Sequence, residues 1–188
     1  MQPFLPEPVD THRWTRRQYE QMVDAGVLTT DDRVELLDGY IVPMSPQNSR
    51  HATTVELCRR ALEKTCPASM VVRAQFPLAL GSVSEPEPDV AVVPGALEDY
   101  VDKHPTEALL VVEVADSSLA KDRAQKRLLY ARHGIPEYWL VNLIDQHLEV
   151  YRDPASGDYK SKTTLERSDA VTPRFADADL SVADLIPA

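Results

Sequence analysis

Asp89 and Glu113 stand at the ends of two aliphatic runs, "EPEPDVAVVP" over 85–94 and "LLVVEVADSS" over 109–118. An ionised carboxylate inside such a run must take up a proton or find a cation, because an unpaired charge in an apolar interior is strongly disfavoured. If the two runs form antiparallel neighbouring strands, the start of the first lies beside the end of the second, and both acids share one sheet edge. If the strands are parallel, the acids differ by about four strand positions, on the order of 13 Å, and cannot share an ion. The connection between them carries Pro94, Gly95 and Pro105 and suits an antiparallel return. Two carboxylates at one edge, with the Val114 carbonyl nearby, are hard oxygen donors of the kind that Mg²⁺ or Mn²⁺ takes together with waters and a phosphate. Each acid alone also reads as a solvated strand end or a turn; their apposition is what makes a metal site.

The segment after Glu113, "SSLAKDRAQKRLLYARHG", reads as a helix. Ser117 or Ser118 is its N-cap, Ala120, Ala124, Leu128 and Ala131 form its core stripe, and Gly134 with Pro136 ends it. Lys121, Arg123, Lys126, Arg127 and Arg132 against Asp122 give five minus one, a local charge of +4 in a chain of formal charge -10. That contrast marks a candidate phosphate-binding face. The plainer reading is a solvated face with an Asp122–Lys126 pair. Lys126 shares a side with Leu129 and Tyr130, so its stem can pack while its ammonium turns inward.

At 188 residues and 43% hydrophobic content, the chain is expected to form one domain over 1–188, with 1–13 as an N-terminal arm. "TRRQYEQMVDAGVL" predicts a short helix with Tyr19, Met22 and Val23 on one side and Gly26 as its stop. "RVELLDGYIVPMS" predicts a hairpin turning at Asp38-Gly39, with Glu35 on its first strand. A helix follows at about 51–64, with His51, Val55, Cys58 and Leu62 on one stripe. Strands are expected over 71–80 and 89–93, then "EYWLVNL" and "HLEVYRD" as a hairpin, and a short helix near 182–186. His51 on its apolar stripe reads as a hydrogen-bonded core or interface residue, and Trp14 and Trp139 read as core rather than base-stacking platforms.

Two cysteines without a C-x-x-C pair suggest neither a zinc cluster nor a disulfide framework. With no export signal or membrane span in the sequence, a cytoplasmic protein is expected. The net negative charge argues against broad nonspecific binding to nucleic acid.

Asp89 after a proline, Glu113 at the end of the next aliphatic strand and a nearby lysine resemble the PD-(D/E)XK nuclease superfamily. "VELLDGYIVPMSP", "EPDVAVV", "LLVVEVADSS", "KRLLYARHGIPEYWLVN" and "LEVY", in unbroken order over about 15–152, resemble the putative restriction endonuclease family within it. The resemblance implies an α/β fold, a restriction-endonuclease-like mixed sheet flanked by helices, and Mg²⁺-dependent phosphodiester hydrolysis. It implies that Asp89 and Glu113 are the metal-binding acids, Glu35 the early acid of "ELLDG", and Lys126 the helical lysine of K-x-x-x-Y. Ala115 stands where the simple E-x-K signature has its lysine, so Lys126 must reach back from the helix. His51 matches a recurrent histidine after "MSP" with no role assigned.

The expected function is therefore a metal-dependent DNA endonuclease, working as a dimer if it cuts both strands. In it Asp89, Glu113, the Val114 carbonyl and Glu35 serve the metal, and Lys126 orients the attacking water. The alternative is a nuclease fold retained as a binding or assembly module without turnover.

Overall fold

The computed structural model describes residues 11–116 and 119–187. The Ser117 or Ser118 N-cap and residues 1–10 of the expected arm lie outside them. Thr15 caps α1 (Arg16–Asp24) through a capping box with Gln18. Only Tyr19 of its expected apolar side is buried, and Val23 is 48% exposed, so α1 lies shallowly on the surface. Its anchor is polar: the Tyr19 hydroxyl donates to the Val34 carbonyl.

β1 (Val34–Leu37) and β2 (Tyr40–Pro43) form the expected hairpin. Asp38 at φ 50° and Gly39 at φ 83° supply the two positive dihedrals of its turn. A side chain at Gly39 would meet the Arg13 Cβ at 2.9 Å. The hairpin is tied down by paired backbone bonds between Leu36 and Glu85.

The Glu85 carboxyl is buried at that junction; desolvation, and then neighbouring Glu20, push it up to about 7. A carboxyl raised in the folded state contributes stability below its unfolded value that is lost as pH rises through its folded one. Glu85→Gln should therefore gain stability over the wild type between about pH 5 and 8, by on the order of 2–3 kcal/mol. Denaturant unfolding at several pH values reads this directly, and a pH-independent difference would refute it.

Six strands make the main sheet, in the order β3 (Met70–Ala74), β4 (Val90–Pro94), β5 (Leu110–Ala115), β6 (Glu137–Asn142), β7 (His147–Ala155) and β8 (Asp158–Leu165). All neighbours are antiparallel except β5 and β6, which are parallel and joined by a helical crossover. This is the mixed α/β sheet expected. Strand β3 stops at Ala74, six residues short of the expected end, because Gln75 turns to φ 57° and leaves the strand conformation. β8 was not anticipated: "DYKSKTTL" has too few apolar residues to announce a strand, and its backbone pairs with β7 at the sheet edge. A second small pair, β9 (Ala170–Val171) and β10 (Leu180–Ser181), precedes α5 (Val182–Leu185).

Strand alternation divides the core. Val90, Val92, Leu110, Val112 and Val114 face one side, packed with α2 (Ser49–Thr65) and α5. Ala91, Val93, Val111 and Ala115 face the other, with Tyr130, Tyr138 and Tyr151. Period-2 alternation puts Glu113 on this second side, beneath the crossover. Trp139 is fully buried as expected, whereas Trp14 is only half-buried and stacks edge-on with His12.

The crossover corrects the expected stripe. It runs as α3 (Leu119–Lys121), a π-helical turn (Asp122–Lys126) and α4 (Arg127–Arg132). Ala120 and Ala124 are exposed and Leu128 half-buried, while Asp122, Lys126, Leu129 and Tyr130 point inward with Ala131. A π turn shifts the phase of the helix, so a stripe counted at 3.6 residues per turn fails across it.

Candidate functional site

β4 and β5 are antiparallel, with Val90 opposite Val112, and continuing that register brings Asp89 alongside Glu113. The Asp89 carboxylate accepts the Val114 backbone N–H at 2.8 Å, which locks the two strand ends together. Glu113 Oε1 accepts from Lys126 Nζ at 2.9 Å and from the Tyr130 hydroxyl at 2.7 Å. Lys126 also reaches Glu35 Oε2 at 3.3 Å, and Lys121 reaches Glu35 Oε1 at 2.9 Å. Glu35 additionally accepts the Glu87 backbone N–H. The hairpin, the sheet edge and the π turn thus deliver Glu35, Asp89, Glu113 and Lys126 to one place.

These groups line a cleft of about 40 Å³ with Glu87, Asp122, His51 and Lys121. Five carboxylates against two ammoniums leave it at formal charge -3 with the histidine neutral. Burial pushes the Glu113 carboxyl well above the usual range, and Asp89, Asp122 and Glu35 add to the rise against the pull of Lys126. Burial raises Glu35 too, but Lys126 and Lys121 reverse it, and its carboxyl sits below the ordinary value. For Lys126, desolvation is outweighed by Glu113 and Glu35, so its ammonium is held charged.

His51 is not in the core. Asn48 caps α2 by accepting the His51 backbone N–H, and its amide donates to Asp116 just beyond β5. That bracing sets the His51 ring at the cleft, with Nε2 3.3 Å from Asp89 Oδ2.

Sequence reasoning missed Glu87, Asp122 and the role of Tyr130. Glu87 had a signal: Glu85, Glu87 and Asp89 alternate with prolines, the period of an extended chain. Asp122 had none, because its inward direction depends on the π turn.

The expected basic face is charge-compensated in the fold. Every cation of the crossover that defined it has an acidic partner: Lys121 and Lys126 as above, Arg123 with Glu149, Arg127 with Asp158, and Arg132 with Asp38. Local charge along the chain did not foresee acids delivered by β1, β7 and β8 and by the hairpin turn.

A six-stranded mixed sheet with helices on its faces and an acid-rich cleft at the ends of its central strands defines an α/β protein of nuclease-like fold. The chain belongs to the Uma2 family, "Putative restriction endonuclease", whose model matches residues 16–183. A crystal structure described as a putative nuclease belonging to DUF820, from Anabaena variabilis ATCC 29413, shares the fold. Its TM-score is 0.69 and its identity 18%, covering 86% of this chain and 94% of that one. No curated protein matches the chain. Family membership supports nuclease activity. Among the described residues, no helix is long and apolar enough to cross a membrane.

Proposed function

We propose that the cleft hydrolyses phosphodiester bonds of DNA with Mg²⁺ or Mn²⁺ as cofactor. The observation that carries this reading is Glu113: a buried carboxyl, raised far above its ordinary range, beside Asp89 in a cleft of net negative charge. Among the described residues no three His, Cys, Asp or Glu side chains already converge as an ion's ligands. The donor set nevertheless fits a hard divalent cation in chemistry and in charge, since two positive charges offset most of the cleft's excess.

Asp89, Glu113 and the Val114 carbonyl would hold the ion, with Glu35 supporting the arrangement. A bound divalent ion would supply Lewis acidity and charge neutralisation at the phosphate. The protein's own groups do the positioning. The Val114 N–H fixes the Asp89 carboxylate, and the Tyr130 hydroxyl fixes Glu113. Lys126, charged and anchored between Glu113 and Glu35, orients the attacking water and stabilises negative charge developing on the phosphoryl oxygens. The cleft is about 40 Å³, so it admits an ion with little water, and the DNA phosphate must approach from its mouth. Cutting both strands of a duplex would take two copies of the site, as in a homodimer, in a cytoplasmic setting.

Titration calorimetry of Mg²⁺ and Mn²⁺, alongside cleavage of supercoiled, linear and single-stranded DNA, tests the reading. The wild type should bind an ion and cut, and the Asp89→Ala, Glu113→Ala double variant should do neither, with cleavage down at least about 1,000-fold, the scale of losing one main electrostatic element. Cleavage by the double variant would reject the assignment. One observation favours the second reading, a binding module without turnover: the crossover's basic residues are engaged with acids. That reading predicts no ion binding and no cutting by the wild type.

A further inference from the structure

We infer that His51 is a nitrogen donor of the cation site and gives it a preference for Mn²⁺ over Mg²⁺; this rests on the metal-dependent reading above. The His51 ring reaches the cleft from α2, a different element from those bearing the acids, and is held there by the Asn48 cap and its tie to Asp116. Its Nε2 lies 3.3 Å from Asp89 Oδ2, close to the roughly 3 Å between adjacent ligands of one octahedral ion with bonds near 2.1 Å. The Val114 carbonyl also lies within hydrogen-bonding reach of the ring. His51 therefore sits against two of the three oxygen sources assigned to the ion.

The His51 Nδ1 is buried without a hydrogen-bond partner among the described residues, so the ring is only half-satisfied where it stands. Mn²⁺ shares the preference of Mg²⁺ for carboxylate and carbonyl oxygens, but as a first-row transition ion it also accepts a nitrogen donor, whereas Mg²⁺ keeps an oxygen shell. Adding one nitrogen to a carboxylate and carbonyl set shifts selectivity without needing any change in the acids.

The test compares Mg²⁺ and Mn²⁺ affinities by calorimetry in the wild type, His51→Gln and His51→Ala, with thermal melting as the folding control. Pulsed paramagnetic resonance of the Mn²⁺-loaded wild type reads nitrogen coordination directly and needs no variant. The wild type should bind Mn²⁺ at least tenfold more tightly than Mg²⁺ and show modulation from a coordinated nitrogen. The variants should lose about 10- to 100-fold in Mn²⁺ affinity with Mg²⁺ changed less than about threefold. An unchanged Mn²⁺ to Mg²⁺ ratio, or equal losses for both ions, would overturn the inference, the second showing that His51 only braces Asp89. Absence of nitrogen modulation overturns it too and leaves the metal-dependent reading intact. Failure of the wild type to bind either ion, with or without DNA present, overturns both.

Discussion

Lys126→Met should destabilise the folded protein by about 3–5 kcal/mol and reduce DNA cleavage to background. Methionine keeps most of the aliphatic stem, so packing against the crossover is nearly unchanged and the loss isolates the ammonium. That ammonium is 2.9 Å from Glu113 and 3.3 Å from Glu35, and both acids are almost fully buried. Removing it leaves two carboxyls facing each other in a low-dielectric cleft, Glu35 keeping Lys121 and the Glu87 N–H and Glu113 keeping the Tyr130 hydroxyl. A buried charge stripped of its partner costs far more than a surface pair contributes. The sign with pH separates this from lost packing. The Lys126 pKa is raised in the folded state, so its contribution is fully present below the lysine's unfolded value and lost only as pH climbs past that range. Across neutral pH the penalty should therefore hold steady and shrink only at alkaline pH, because losing the lysine's pull raises the already raised Glu113 carboxyl further. Adding Glu113→Gln should recover a large part of the stability, and unfolding in denaturant reads all four corners of that cycle. A double variant whose change equals the sum of the Lys126→Met loss and the Glu113→Gln effect in the wild-type background would show that the pair is not coupled.

The legible and illegible parts of this molecule divide on physical lines. The hairpin was readable because Asp38-Gly39 satisfies a backbone requirement that few dipeptides meet. The apposition of Asp89 and Glu113 was readable because antiparallel pairing fixes which strand ends meet, and the observed register obeys it. Lys126 was readable through its shared side with Tyr130, which the structure joins to it on Glu113 Oε1. The core stripe of the same helix was misread, because one π turn changes the period and nothing in "DRAQK" announces it. The fate of the basic face was hidden for a different reason. Its acidic partners are as far as 94 residues away in sequence, in the case of Asp38 and Arg132, and only the assembled fold brings them together. β8 was hidden because an edge strand with one solvated face carries little apolar pattern.

Pattern also fails to separate buried carboxylates of opposite electrostatics, and Glu149 shows why. It lies in "HLEVY" on β7, as buried as Glu113 and in similar aliphatic company. Desolvation raises its carboxyl, but Arg123, Tyr151, Lys162 and His147 reverse the effect and bring it to about 2. Glu113 has one lysine and one tyrosine among its described hydrogen-bond partners, with three further acids nearby, and goes the other way. The consequence is opposite linkage. Glu149, lowered in the folded state, contributes stability above its unfolded value that is lost as pH falls, so Glu149→Gln should cost roughly 2–3 kcal/mol at neutral pH. Glu113, raised in the folded state, contributes stability only below about pH 4.5 and loses it as pH rises. Without metal, Glu113→Gln should therefore be more stable than the wild type at pH 8, with the gain vanishing toward pH 4.5. The glutamine oxygen can still accept from Lys126 and Tyr130. Saturating Mn²⁺ should then reverse the order: an ion at 100 times its Kd stabilises the wild type by about 2.7 kcal/mol, and the variant, lacking the carboxylate, gains little. Melting curves at pH 5 and pH 8, with chelator and with Mn²⁺, measure all of this. A metal-free Glu113→Gln protein that melts below the wild type at pH 8 would mean that Glu113 is held as Glu149 is, a structural acid already satisfied by the protein. The reversal, if seen, would identify Glu113 as a carboxylate whose burial is tolerated for the ion it holds, because no structural role makes an acid destabilising until a cation arrives.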